Sequence, residues 1–434
     1  MKIYPYPSEA AEKRVSAIID RGLSYSGKDY QDVVRMLEDV RKNGDEAVIR
    51  YTNRFDSPDL TADHLEVTDR EIKAARKMVD GAFMRALNRA ASQIESFHRH
   101  QVANSWIQTD RPGVILGQMV NPVDAAGIYV PGAKGGETPL VSSVLMGGIP
   151  ARIAGVKTIA MVTPPTRDGS INPHLLAAAR IAGIHKIYKA GSAWAIAALA
   201  YGTKTIPKVN VIVGPGNIYV TLAKKIVAGT VGIDMIAGPS EILVIADGSA
   251  DPEYIAADLL SQAEHDPLAS AILITDQKEI AKAVRTAVMK QLDSLKRSDI
   301  ARASIQKYGG IMLVPDLAAA IDLANRIAPE HLELQVENPF DWVGRIRNAG
   351  AVFLGNYTPE PVGDYVAGPN HVLPTAGTAK FASALSVDHF VKKTSIIHYS
   401  EGAFKKEAKD IMLLAETEGL DAHARSVKVR LKKR

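Results

Sequence analysis

Lys186-Ile-Tyr-Lys-Ala-Gly-Ser-Ala-Trp-Ala-Ile-Ala-Ala-Leu-Ala-Tyr-Gly-Thr-Lys-Thr-Ile-Pro-Lys-Val-Asn-Val-Ile-Val213 decides the fold. An apolar run over Lys186–Lys189 gives way at Gly191 to an Ala- and Leu-rich stretch over 193–201, and a second apolar run closes at Val209–Val213. Strand, helix, strand at this spacing is the signature of a crossover unit, which joins parallel strands. The same rhythm extends outward. Gly127-Ile-Tyr-Val-Pro131 and Lys157-Thr-Ile-Ala-Met-Val-Thr163 read as further strands, and 174–182 and 217–227 as helices. The series predicts a parallel sheet covered by helices on both faces.

A second series follows. Glu241-Ile-Leu-Val-Ile-Ala246, Ser270-Ala-Ile-Leu-Ile-Thr275, Gly310-Ile-Met-Leu-Val-Pro315 and Ala351-Val-Phe-Leu-Gly355 are its strands, with helices over 251–265, 277–295 and 317–327. Two α/β units in tandem favour a ligand cleft. Residues 8–110 read as mostly helical. Val33, Val34, Leu37 and Val40 share a helical face, Asn43-Gly44 is a stop, and Thr68 with Glu71 forms a capping box opening one long helix toward His98. Beyond about residue 360 the pattern loosens into a Gly/Pro-rich loop and ends in a helix near 404–418. The fold class is therefore α/β: two tandem Rossmann-like domains with parallel sheets, plus small helical N-terminal and C-terminal segments.

The 434 residues correspond to two to four structural units at roughly 150 residues each. With 46% apolar and 23% charged residues, the chain can bury a large core unaided. It has no cysteine, which rules out disulfides and thiolate metal sites and leaves nitrogen and oxygen ligands for any zinc. A reducing cytoplasm fits that composition. Net charge is +4, and the one dense basic run, Lys428-Val-Arg-Leu-Lys-Lys-Arg434, reads as a solvated end rather than a nucleic-acid patch. No signal peptide is expected at Met1–Ser8, and no membrane span anywhere.

Several constellations can carry chemistry. Gln262 and His265, three apart on a helix, can reach one cation or simply form a polar helix exit. Pro329 fixes the chain before adjacent Glu330 and His331, which can divide acid and base work or form a structural pair at a helix end. The loop Gly363-Asp-Tyr-Val-Ala-Gly-Pro-Asn-His-Val-Leu-Pro374 carries Asp364 and His371. It is a functional loop or a surface Ω-loop. Glu418 and His423 stand near the end of the chain. Val213-Gly-Pro-Gly-Asn-Ile-Tyr-Val220 follows a strand and opens a helix, where main-chain N–H groups can meet a phosphate. Tyr219 replaces the third glycine of a dinucleotide fingerprint, so that signal is weak. His98 and His100 do not face each other on a helix and read as surface residues.

These motifs, with Gly127–Gly132 and Ala237-Gly-Pro-Ser-Glu241, resemble the histidinol dehydrogenase family along nearly the whole chain. The resemblance implies a zinc held by Gln262, His265, Asp364 and His423, with Glu330 and His331 as the acid–base pair. It implies substrate contacts from Ser240, His371 and Glu418 as well as from His331 and the metal ligands. Tyr129 and Asn217 would line the NAD site. Trp194 stands where the family usually has a Gln, and it can stack on the dinucleotide instead. The 133–139 loop is longer than usual for the family.

The implied domains are an N-terminal segment 1–24, a discontinuous first α/β domain 25–128 and 240–385, a second α/β domain 129–239 on the NAD side, and a C-terminal segment 386–434. That last segment would complete the partner's active site in a swapped homodimer. The implied reaction takes L-histidinol through the aldehyde to L-histidine, with two NAD reduced, as the last step of histidine biosynthesis. Two alternatives stand beside it. One is a relative oxidising another polar alcohol, such as a sulfonated propanediol. The other is a binding protein that kept the fold and lost catalysis, against which the intact acid–base and ligand positions argue.

Overall fold

A computed structural model describes residues 1–21, 25–133 and 138–432. The chain divides into two compact units, Met1–Gln101 with Asp124–Phe390, and Val102–Val123 with Val391–Arg434.

The larger unit holds two parallel sheets. One has six strands in the order Ile3–Pro5, Gly310–Leu313, Ser270–Thr275, Glu241–Ala246, His331–Gln335, Ala351–Leu354. The other has five, in the order Gly232–Ile233, Val211–Val213, Ala125–Tyr129, Thr158–Thr163, Lys186–Lys189. Both expected series are there, and each sheet gains strands that periodicity had not marked. His331–Gln335 is the consequential one. Its alternating pattern places Leu332 and Leu334 in an apolar cluster on one face and His331, Glu333 and Gln335 on the other. The central strands Glu241–Ala246 and Ser270–Thr275 are buried at every residue, as a sheet covered on both faces requires.

The N-terminal helices follow their local signals, with one correction. Ser26 caps Gly27–Asn43 in a capping box, and Gly44 ends it at φ 54°. Thr68 and Glu71 do form a capping box, but the helix they open stops at Met78. Val79 is extended, and Asp80 caps a new helix, Gly81–Arg99, by accepting from the N–H groups of Ala82 and Phe83. That second helix buries Leu87, Ala91, Ile94 and His98 on one face. His98 is thus a core residue and not the surface residue expected. Its Nδ1 lies 2.9 Å from the Ile94 carbonyl, and Asn370 approaches Nε2.

The smaller unit is a three-stranded antiparallel sheet, Val391–Tyr399, Val114–Pro122, Trp106–Gln108, with helices Glu401–Thr417 and Asp421–Arg430. Residues 102–123 therefore pair with the C-terminal segment. No helix among the described residues is long and apolar enough to cross a membrane.

Candidate active site

The helix Leu317–Ile327 ends at Ala328 in the left-handed region (φ 56°), and Pro329 then delivers Glu330 to the mouth of the strand that begins with His331. Both side chains are buried. His331 Nδ1 is 2.9 Å from the carbonyl oxygen of Glu241, which can only accept, so Nδ1 carries the proton and Nε2 is left with its lone pair. Burial, with His371 and His265 nearby, pushes the imidazole down to about 4, so the ring is neutral near pH 7. Burial, then the Glu241 charge, then Asp364 and Glu360 push the Glu330 carboxyl well above the usual carboxylate range. A neutral base beside a carboxyl with a raised pKa is the pairing that acid–base catalysis needs.

Beside this pair lies an acidic cluster. Glu360 and Asp364 are four apart, and their carboxyls interact directly. Gln262, at the buried end of the helix Pro252–Ala263, reaches the Glu360 carboxyl, and the exposed His265 lies close enough to act on its charge. Burial, then the Asp364 charge, push Glu360 up to about 8, and burial raises Asp364. Among the described residues, ligand atoms of His331, Glu360 and Asp364 lie within 4.8 Å of one another. The expected metal ligands Gln262, His265 and Asp364 are thus gathered around Glu360, which sequence reasoning had not singled out. Amide, imidazole and carboxylate donors with no thiolate suit a zinc ion. The donor set and its crowded negative charge fit such a cation.

A further acid layer supports the cluster. The Glu360 N–H donates to Glu333 Oε1 at 3.0 Å, and Gln335 Nε2 donates to Glu333 Oε2 at 2.9 Å and Asp258 Oδ2 at 2.7 Å. Glu333 and Asp258 are buried carboxyls held against each other, so burial and mutual repulsion drive Glu333 well up.

A cavity of about 320 Å³ opens on His331, Asp364 and His371, with Phe97, Phe353 and Leu373 among its apolar walls. Among the described residues its lining contains no Lys or Arg. His371 is half-buried, yet its Nε2 is sealed from solvent and finds no hydrogen-bond partner among the described residues. Burial pushes its ring down to about 4. Ser240 is half-buried beside Glu241 and outside that lining. Glu418 and His423 belong to the smaller unit and are exposed, Glu418 at the end of the helix Glu401–Thr417 and His423 within Asp421–Arg430.

The expected acid–base and ligand residues that begin or precede the strands His331–Gln335 and Ser270–Thr275 cluster at the amino ends of the six-stranded sheet. The expected NAD residues lie at the carboxyl ends of the five-stranded sheet, where α/β sheets usually bind ligands. Gly214 follows Val213 at φ 118°, and a Cβ there would stand 2.1 Å from the Tyr129 carbonyl oxygen, so this turn admits only glycine. Exposed Asn217 caps the next helix and borders a cavity of about 150 Å³ with Gly216, Thr221 and Gly238. Tyr129 is buried, and its hydroxyl accepts the Ser192 N–H at 3.2 Å. Trp194 is enclosed. Its indole stacks near Tyr51 and Phe55 and donates to the Thr52 hydroxyl at 3.0 Å, so ring and N–H already have partners within the protein. Lys134–Glu137, the centre of the loop expected to be lengthened, lie outside the described residues, and the flanking Gly132–Ala133 and Thr138–Pro139 pair antiparallel.

Fold and site together define a two-sheet α/β enzyme built for acid–base chemistry beside a metal-capable acidic cluster. The sequence profile of a family described as histidinol dehydrogenase matches residues 23–431. The chain is 59% identical over 397 residues to the histidinol dehydrogenase of Desulfotalea psychrophila, covering 92% of each chain. It is 53% identical over 432 residues to that of Syntrophotalea carbinolica, covering 100% of this chain and 99% of the relative. The crystal structure of histidinol dehydrogenase from Elizabethkingia anophelis superposes with a TM-score of 0.92 at 41% identity, covering 99% of this chain and 98% of that one. The chain belongs to the histidinol dehydrogenase family, a family of NAD-dependent, zinc-binding oxidoreductases.

Proposed function

We propose that the chain oxidises L-histidinol through L-histidinal to L-histidine at the His331–Glu330 site. The observation that carries the reading is the buried, neutral His331, tied at Nδ1 to the Glu241 carbonyl and left free at Nε2 beside the Glu360–Asp364 cluster. His331 Nε2 takes the alcohol proton as hydride leaves the carbon. Glu330 takes a proton from a water that adds to the aldehyde while His331 returns its proton to the aldehyde oxygen, and the neutral ring then takes a hydroxyl proton of the hydrate as the second hydride leaves. The walls of Phe97, Phe353 and Leu373 keep bulk water from the aldehyde between steps. His371 contacts the substrate through its unpartnered Nε2, and Ser240 and Glu418 are further substrate contacts in this reading.

Gln262, His265, Asp364 and His423 would hold the metal, and Glu360 would position Gln262 and Asp364. When bound, zinc supplies an anchor for the substrate's imidazole and amino nitrogens, and NAD supplies the hydride acceptor. Tyr129 and Asn217 serve the dinucleotide, with Trp194 supporting that side from within the core. His423 and Glu418 reach the site from a second copy, in a homodimer with swapped C-terminal segments. An enzyme drawing on NAD twice per turnover belongs in the cytoplasm, beside its dinucleotide pool.

A sulfonated alcohol is disfavoured because the described residues of the cavity lining include no Lys or Arg to pair with it. Zinc-loaded protein given equal L-histidinol and a sulfonated propanediol should reduce NAD with histidinol alone. Turnover of the sulfonate without histidinol would overturn the reading.

A further inference from the structure

We infer that Glu241, neutralised by Arg21, is the positioning residue of the acid–base pair, holding Glu330 through both its carboxylate and its main-chain N–H, and His331 through its main-chain carbonyl alone. The inference rests on the reading of Glu330 and His331 given above.

The contacts are reciprocal. The Glu330 N–H donates to Glu241 Oε2 at 3.1 Å, and the Glu241 N–H donates to Glu330 Oε2 at 2.9 Å. Two neighbouring parallel strands begin here, one at Glu241 and one just after Glu330, and the N–H of each of these two residues is capped by the other's carboxyl group. Glu330 is therefore fixed at both ends, main chain and carboxyl, by one residue. His331 is fixed differently. Its Nδ1 donates to the Glu241 carbonyl at 2.9 Å, a bond that involves no side-chain atom of Glu241.

The other carboxylate oxygen of Glu241 anchors the device. Oε1 accepts from Arg21 Nη2 at 2.6 Å and from the Ala376 N–H at 3.1 Å. The side chains of Arg21 and Glu241 are 2% and 6% exposed. Arg21 also donates to the Pro239 carbonyl at 3.2 Å and lies over the Tyr308 ring. A buried carboxylate needs such a partner, because an isolated buried charge is strongly disfavoured. Arg21 comes from the N-terminal segment and Ala376 from the loop beyond His371, so one carboxylate ties both segments to the catalytic pair.

This division of labour predicts a step-selective defect. Glu241→Gln keeps the volume of the side chain. Its amide oxygen can still accept from Arg21 and Ala376, but its NH2 then faces the Glu330 N–H, donor against donor. Glu330 is displaced while the bond to His331 Nδ1 survives. The test uses the full-length, zinc-loaded protein and measures NADH formation separately from L-histidinol and from supplied L-histidinal, with Glu330→Gln alongside. We expect Glu241→Gln to reproduce the step profile of Glu330→Gln. Aldehyde oxidation should fall on the order of 10²-fold, the effect of a misplacement of about 1 Å, while the alcohol step changes far less.

KM for histidinol and zinc content should hold in both variants, which a general loss of structure would not allow. Arg21→Met combined with Glu241→Gln, free of any unpaired charge, should show the same selectivity. An equal loss in both steps beside a selective Glu330→Gln would overturn the inference, and so would recovery of the aldehyde step in the double variant. If Glu330→Gln is itself unselective, the role given to Glu330 fails. The clamp is then judged by the same comparison, upheld by matching profiles and overturned by differing ones.

Discussion

His331 is a histidine whose charge the fold withholds. Its substitution by Ala removes the base and should lower kcat by about 10²- to 10⁴-fold, the usual worth of a positioned general base, with little change in zinc content. The rings of His331 and His371 both lie near 4 when folded, against 6.5 for a free ring. Between those values the unfolded chain binds more protons than the folded one. Their contribution to stability is therefore full above 6.5 and is lost as pH falls toward 4. In metal-free protein, the urea midpoint of the parent relative to His371→Asn should fall as pH drops through that window; a constant difference would show that His371 is not buried neutral.

Adjacent Glu330 and His331 were legible in sequence because a proline and their chemistry marked them. Glu360, Glu333 and Asp258 were not, since they sit on separate elements and meet only after the strand His331–Gln335 and the helix Pro252–Ala263 have packed. Spacing did hold a hint, with Glu360 four before Asp364 and Glu333 two after His331. His98 misled because it was read only against His100, which does not share its helical face, although its place on the face of Leu87, Ala91 and Ile94 was readable.

At the scale of elements, the strand–helix rhythm located most of both parallel sheets, because buried strands are apolar throughout. Ile3–Pro5 and His331–Gln335 escaped it, the first for being short and the second for carrying polar residues on the face that serves the site. The helix expected to run toward His98 broke at Val79 because Asp80 offers a second cap. The turn at Gly214 fixes the NAD side of the five-stranded sheet. Gly214→Ala meets the Tyr129 carbonyl at 2.1 Å and must shift the strand ends, so a fall in Tm together with a raised KM for NAD is expected, and an unchanged Tm would deny the constraint. Trp194 belongs to the same sheet's core. Its replacement by Ala should destabilise by about 3–5 kcal/mol. A rise in KM for NAD without loss of stability would instead place the indole on the cofactor.

At the scale of the molecule, Glu418 and His423 sit in a unit distinct from the one that holds Glu330 and His331. A swapped dimer makes a prediction for mixed chains. His331→Ala and His423→Ala proteins, each inactive alone, should regain about a quarter of parental activity when unfolded and refolded together, since random pairing leaves one intact site in half the dimers. No recovery would mean that His423 serves its own chain. The central claim, a single site oxidising an alcohol and then its aldehyde, is tested most directly by counting NADH against limiting L-histidinol with zinc-loaded protein. About two NADH per histidinol, with L-histidine as the product, are expected. One NADH per histidinol, with free L-histidinal accumulating, would contradict that claim.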